Sequence, residues 1–344
     1  IESDYAGLMS PGMPQTASKF SDKIGHIMNY GNGWYGGVFV GAMYTQAFLT
    51  DNVNTVVTQA LKTIPRKSLF YQCMSDIIRW HSENPTDWKA TWTKCQQKYS
   101  DERGCPDGVK APFDIDALIN SAYIVIGLLY GEGNFSKTLE ISTRCGQDSD
   151  CNPSSAGGIL GAMLGYSGIP SDWLDNLKEV EGLNFAYTDI ALNEAYAYTY
   201  ELALKVIARE GGREDGDNVV ICSQQPRSVR FEDSFSGLRP VEVRQGKALQ
   251  EMQPIRFSGS GIVVGCNVQS PDNNYVANVE VNIDGRLLKS VKAPANYRYR
   301  TQELYWNYDL KEGPHVLSFR WTNPNSSAKI DCGRILIYGK TKNK

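Results

Sequence analysis

A chain of 344 residues, 41% hydrophobic and 21% charged, is long enough for two ordinary domains with cores of their own. Its formal net charge of −3 leaves no basic footprint for nucleic acid, and no run is apolar enough over enough length to span a bilayer or to read as a signal peptide. The eight cysteines fit no Cys-x-x-Cys metal pattern, which argues against zinc. Their even number suits disulfides in an exported protein, with Cys95 and Cys105 the nearest pair in sequence, and suits buried free thiols equally well.

The chain opens on a Gly- and Pro-punctuated stretch, Ser3 to Pro14, that predicts a loop presenting side chains and backbone, with Glu2 and Asp4 as candidate pocket carboxylates. Residues 17–30 predict a helix carrying His26. Asn29 to Gly37 then sets Trp34 and Tyr35 among glycines. Such glycines let a ligand approach the backbone, and the aromatic faces suit a sugar or a base; a turn with aromatics plugging the core fits the same residues. From Val38 onward helix follows helix. Leu69, Cys73, Ile77 and Trp80 share one face, and Leu192, Tyr196, Ala203, Val206 and Ile207 share another, both reading as core stripes. Asp51, Thr86 and Asp114 stand where N-caps are expected, Asp114 with Asp116 reads as cap and surface, and Gly131 to Phe135 reads as a turn between helices.

The most informative stretch is Arg144-Cys-Gly-Gln-Asp-Ser-Asp-Cys-Asn-Pro153, which reads as a ligand loop feeding a helix. Asn152 suits an N-cap and Pro153 the first helical position. Asp148 and Asp150, one residue apart just outside a helix N-terminus, can aim hard oxygens at one spot, as Mg²⁺, Ca²⁺ or Mn²⁺ require. The loop is not an EF-hand, because Pro153 and Ile159 occupy the positions of that motif's Gly and Glu. Gly157, Gly161 and Gly165, four apart, predict a neighbouring helix packed backbone to backbone against the helix that follows.

The run Gly146-Gln-Asp-Ser-Asp-Cys-Asn-Pro153, the small-residue helix, then Gly168-Ile-Pro170 and Trp173, resembles the C-terminal metal motif of the ADP-ribosylglycohydrolase family, whose pattern is Gly-Gly-Asp-Thr-Asp-Thr before a Gly/Ala-rich helix. The resemblance implies that Asp148 and Asp150 ligate a two-metal site, usually magnesium, with Ca²⁺ or Mn²⁺ as alternatives. Ser149 stands for the family's middle Thr, and Cys151 for the last one, whose oxygen is a ligand there; sulfur is a poor partner for Mg²⁺. It further implies that Asp4, Gly7 and Met9 match the family's ribose-pocket loop, with Ser10 where Arg is usual, and that His26 with the following Trp34–Tyr35 loop meets substrate. The Asp-Asp-Thr loop that supplies the family's other ligands does not occur upstream of Asp148, so an N-terminal part is expected to be absent from this chain. No carboxylate is assignable to proton handling.

Gly211 to Asn218 reads as a linker, after which the period changes from helical to alternating. Val279, Val281 and Ile283 alternate up to an Asp284-Gly285 hairpin turn; His315, Leu317, Phe319 and Trp321 alternate after Gly313-Pro314; a last strand falls near Ile335 to Tyr338. The outline resembles the jelly-roll accessory modules found beside glycoside hydrolases. Tyr297, Tyr299, Tyr305, Trp306 and Tyr308 read either as a sugar platform or as core aromatics. The expected architecture is an all-α ADP-ribosylglycohydrolase-like domain over 1–211, a linker at 212–218 and a jelly-roll-like β-sandwich over 219–344. The expected function is metal-dependent glycosidic-bond hydrolysis on an extracytoplasmic carbohydrate, in a secreted or periplasmic setting with the cytoplasm left open, and ADP-ribosyl-protein hydrolysis is the first alternative. A non-catalytic carbohydrate-binding protein is the alternative from another class.

Overall fold

The computed structural model describes residues 1, 3–101, 114–233, 238–252 and 254–340. The chain divides into two compact units, and the division falls between Asp233 and Leu238, later than the expected linker. Where that linker was expected, Arg213–Asp215 (β1) and Asn218–Val220 (β2) form an antiparallel hairpin, and residues 221–233 stay with the helical unit.

Eleven α-helices build the first unit among the described residues: α1 (Asp4–Leu8), α2 (Pro14–Gly25), α3 (Asn32–Ala47), α4 (Val53–Leu61), α5 (Leu69–Glu83), α6 (Trp88–Gln96), α7 (Ala117–Gly131), α8 (Phe135–Arg144), α9 (Cys151–Leu164), α10 (Ser171–Lys178) and α11 (Leu192–Arg209). Helices α3 and α7 are apolar almost all round and nearly every residue in them is buried, so they form the centre. Their N-terminal ends meet: a Cβ on Gly36 would lie 3.3 Å from Ala117 Cβ and 3.4 Å from Ser121 Oγ. Helix α8 returns antiparallel to α7 through a tight turn in which Glu132 and Gly133 take φ of 55° and 82°. Its far end, and hence the start of α9, comes back beside the N-terminus of α7.

Several expectations shift by a turn or less. The N-caps are Asn52, Asp87 and Asp116, each accepting a backbone N–H, in place of Asp51, Thr86 and Asp114. Asp4 to Leu8 is helix and not loop, and α3 begins at Asn32, so Trp34 and Tyr35 are helical. The α5 stripe is core. On α11 only Ala203, Val206 and Ile207 are buried, and Tyr196 is exposed.

The second unit holds two four-stranded antiparallel sheets. One has the order β4 (Ile255–Gly259), β10 (Gly313–Trp321), β7 (Val276–Ile283), β8 (Arg286–Pro294); the other has the order β3 (Leu238–Gln245), β12 (Arg334–Lys340), β5 (Gly261–Gly265), β9 (Glu303–Asn307). A two-stranded ladder joins β6 (Asn267–Gln269) and β11 (Lys329–Asp331). Buried side chains of both large sheets, among them Val279, Val281, Leu317, Ile262 and Ile335, make one core, which is the expected sandwich. The Asp284-Gly285 turn has positive φ at both residues and pairs Ile283 with Arg286, as a two-residue hairpin requires. Of the five aromatics that read either way, Tyr305 is core while Tyr297, Tyr299, Trp306 and Tyr308 are exposed.

Candidate functional site

The aspartate loop lies between α8 and α9 and begins in left-handed backbone, with φ of 89° at Gly146 and 54° at Gln147. Helix α9 starts earlier than expected. Asp150 is its N-cap residue, with no side-chain cap bond, and Pro153 lies within the first turn, where a missing N–H costs nothing. Asn152, expected as the cap, is fully buried and works differently: its Nδ2 donates to Asn120 Oδ1 at 2.8 Å.

Asn120, on α7, is the residue that sequence reasoning missed. Its Oδ1 also accepts from the Asp148 backbone N–H at 3.3 Å, while its Nδ2 donates to the carbonyls of Asp114 and Asp116 at 2.7 and 3.0 Å. One buried amide thus ties the start of α7 to both ends of the aspartate loop. A polar residue inside the apolar run of α7 was the available signal, since a buried amide must find partners.

Asp148, Asp150 and Cys151 each offer a ligand atom, and these atoms lie within 4.8 Å of one another. Burial, and then the neighbouring Asp150 carboxylate, push the Asp148 carboxyl above the usual range even though Cys151 hydrogen-bonds to it. Like charges held together in this way are what a cation neutralises. Asn152 Oδ1, on the first turn of the helix that Asp150 caps, is buried and finds no donor among the described residues. The oxygens suit a hard divalent ion; the Cys151 sulfur does not. Ser149 is exposed on the turn between the two aspartates.

The small residues of α9 receive side chains, not the backbone of another helix as expected. A Cβ on Gly157 would meet Leu139, one on Gly161 would meet Ile169 and Phe135, and one on Gly158 would overlap the Tyr44 hydroxyl. Gly165 ends the helix at φ 73° and faces open space. The Tyr44 hydroxyl is driven up by burial and by its hydrogen bond to the Asp4 carboxylate. Asp4 is therefore linked through Tyr44 to the helix behind the aspartate loop. Gly7 is a packing glycine whose missing Cβ admits Tyr44 and the Gly41 carbonyl, and Met9 packs with Met13, Val206 and Ile207. Glu2 and Cys105, and with Cys105 the suggested Cys95 pairing, lie outside the described residues.

His26 closes α2 at the same end of the unit as the aspartate loop, because its ring lies 4.4 Å from that of Trp34 near the start of α3. Its Nδ1 is 2.6 Å from the Asp22 carbonyl and its Nε2 is 3.0 Å from Glu232 Oε2. Glu232 belongs to the returning segment, and its other oxygen accepts the Gly31 N–H at 2.7 Å. Arg230, two residues earlier, pairs with Asp22 at 3.0 Å and lies 4.6 Å over the Trp34 ring. Trp34 and Tyr35 are 1% exposed, so they serve as core and not as a stacking platform. The burial of Tyr35 also raises its hydroxyl, which bonds to the Glu232 backbone.

The family model described as ADP-ribosylglycohydrolase matches residues 5–211. The chain belongs to the ADP-ribosylglycohydrolase family. The match ends just before the hairpin after α11 and covers the aspartate loop, Asn120, His26 and Tyr44, while Asp4, Arg230 and Glu232 lie outside it. Membership assigns the helical unit to the ADP-ribosylglycohydrolase domain type. Over 75 residues the chain is 31% identical to the ADP-ribosylarginine hydrolase Tri1 of Serratia proteamaculans (strain 568), covering 20% of this chain and 20% of that protein. No solved structure matches the chain. Among the described residues no helix is long and apolar enough to cross a membrane.

Proposed function

We propose that this ADP-ribosylglycohydrolase domain hydrolyses the glycosidic bond between an ADP-ribosyl group and a protein side chain, with Asp148 and Asp150 holding a divalent cation, Mg²⁺ by preference. The observation that carries this reading is the convergence of the Asp148 and Asp150 carboxylates at the start of α9, in a chain that belongs to this family. Hydrolysis adds water across the bond: its oxygen goes to the anomeric carbon and a proton goes to the leaving nitrogen or oxygen, through an oxocarbenium-like transition state. A hard divalent cation bound there supplies positive charge that orients sugar oxygens and acidifies water. The chain's own contribution is to hold the two carboxylates side by side at the start of α9, with Asn120 fixing the loop and Tyr44 seated against the helix. His26, Ser149 and Asp4 are proposed to face substrate, Cys151 flanks the cation, and none of the described carboxylates is assigned the proton transfer.

The ADP-ribosyl substrate is preferred to a carbohydrate on the family match and on the similarity over 75 residues to an ADP-ribosylarginine hydrolase, and the burial of Trp34 and Tyr35 leaves neither a sugar nor a base to stack on them. A second reading rests on the sandwich, where Trp306 and Tyr308 are exposed with ring centroids 5.8 Å apart, a pair suited to a sugar face. In that reading the protein acts on, or only binds, an extracytoplasmic glycan. The deciding experiment offers the protein ADP-ribosylated arginine peptide and a polysaccharide panel, each with Mg²⁺ or Mn²⁺. Release of ADP-ribose that disappears in the Asp148→Asn/Asp150→Asn variant is expected; sugar release, or unchanged turnover and cation binding in that variant, overturns the proposal.

A further inference from the structure

The antiparallel pairing of the β unit is interrupted between the β5–β12 ladder and the β6–β11 ladder. Asp331 of β11 stands opposite Asn267 of β6, and one more step in the same register sets Cys332 opposite Cys266. Both strands are interrupted at this step, since β5 ends at Gly265 and β12 resumes at Arg334 after Gly333 turns to φ 53°. Neither cysteine bonds to the facing strand. The Cys266 N–H donates to the Gln302 carbonyl at 2.8 Å, and the Cys332 N–H to the Lys247 carbonyl at 3.0 Å. Outward-pointing amides mark a non-hydrogen-bonded antiparallel pair, in which facing Cα atoms lie about 4.5 Å apart. That separation falls inside the roughly 4.4–6.8 Å that a disulfide bridges.

The two side chains share the sandwich core and are 7% and 0% exposed. Both are free thiols here. Burial pushes the Cys266 thiol up to about 11 and the Cys332 thiol up to about 12, the latter also through the neighbouring Cys266 sulfur. Such thiols are unreactive while the sandwich is closed.

We propose that Cys266 and Cys332 form a cross-strand disulfide site that closes when the β unit folds beside a disulfide oxidant, such as glutathione disulfide or a thiol–disulfide oxidoreductase. One thiolate attacks the oxidant's disulfide and expels one thiolate. The second cysteine then attacks the mixed disulfide, the S–S bond forms, and a second oxidant thiolate leaves. Two electrons pass to the oxidant, and the two thiol protons end on its sulfurs. The bond replaces the ladder hydrogen bonds missing at the break, and it closes a loop that contains β7, β8, β9 and β10.

The test refolds the full chain in a glutathione redox buffer and, in parallel, under reductant, then traps free thiols by alkylation before digestion and mass mapping. Oxidised material should yield the Cys266 and Cys332 peptides joined and two hydrogens lighter, and its β-unit melting transition should lie about 10 °C above that of reduced protein. The Cys266→Ser/Cys332→Ser variant should melt alike in both buffers. Complete alkylation of both thiols after oxidative refolding, or a link from either to another cysteine, overturns the proposal on the unmodified sequence alone.

Discussion

Asn120 reaches in two directions from α7, taking hydrogen bonds from Asp148 and Asn152 and giving them to the carbonyls of Asp114 and Asp116. Replacing it with Ala strands these groups in a buried setting, at about 1–3 kcal/mol for an orphaned partner. Because the same amide orients the loop that carries both aspartates, Asn120→Ala is expected to weaken divalent-cation affinity by about 10–100-fold. Urea unfolding and calorimetric titration with Mn²⁺ measure the two effects. Full cation affinity in a destabilised variant would show that the loop holds its shape unaided. The residue scale is also where the sequence was hardest to read. Each N-cap fell one or two positions from expectation, since Asp, Asn, Ser and Thr cluster at helix starts and only the geometry selects among them. The aspartate pair was legible from its spacing. The partner that fixes it was not, because it lies 28 residues upstream on another helix.

At the scale of elements, α9 shows how a small-residue helix is used. Its glycines are recesses for Leu139, Phe135 and Tyr44 side chains, and the Tyr44 hydroxyl occupies the space a Cβ of residue 158 would take. Gly158→Ala is expected to cost about 1–3 kcal/mol through overpacking. Adding Tyr44→Phe removes the clashing oxygen, so the double variant should be more stable than the sum of the single changes, a coupling readable by a double-mutant cycle in denaturant. Additive effects would show that α9 yields elsewhere. The alternation that named β7 and β10 and the turn at Asp284 carried straight into the structure, because register on a half-buried sheet follows from a two-residue period. The loop expected at Asn29 to Gly37 did not. Its glycines serve close helix packing, Gly36 against α7 and Gly37 against Ser3, and a short Gly-rich run looks the same in both uses.

For the whole molecule, two units with separate cores are expected to unfold in two calorimetric transitions. Mn²⁺ should raise only the transition of the helical unit, since an ion that binds one folded unit stabilises that unit. The β-unit transition should carry its own pH dependence. His315 Nδ1 lies 2.7 Å from Asp284, and its Nε2 lies 2.7 Å from the Lys311 carbonyl. Burial alone would lower His315, but these bonds outweigh it and hold the imidazole above its ordinary value of 6.5, while the His315 bond holds Asp284 below 3.8. The stability from His315 is therefore complete below pH 6.5 and is lost as pH rises through the raised value; the Asp284 share is present above 3.8 and fades in acid. Melting curves from pH 4 to 9 should show the β-unit transition falling on the alkaline side, and His315→Gln should flatten that fall. A single transition, or one indifferent to His315, would contradict the division.

The seating of Tyr44 against Gly158 also limits which insertions and deletions this domain tolerates. An α-helix advances about 1.5 Å and turns about 100° per residue. Adding or removing one residue between Cys145 and Asp150 would make α9 slide and rotate by that step if it kept its place, carrying a side chain into the Tyr44 recess and swinging the two carboxylates out of line. Length in this loop is thus locked to a contact on another helix, in α3. The turn between α10 and α11, whose Leu183, Phe185 and Tyr187 are exposed, seats no side chain in a recess of α9, so a residue added at its tip is expected to leave the two carboxylates in line.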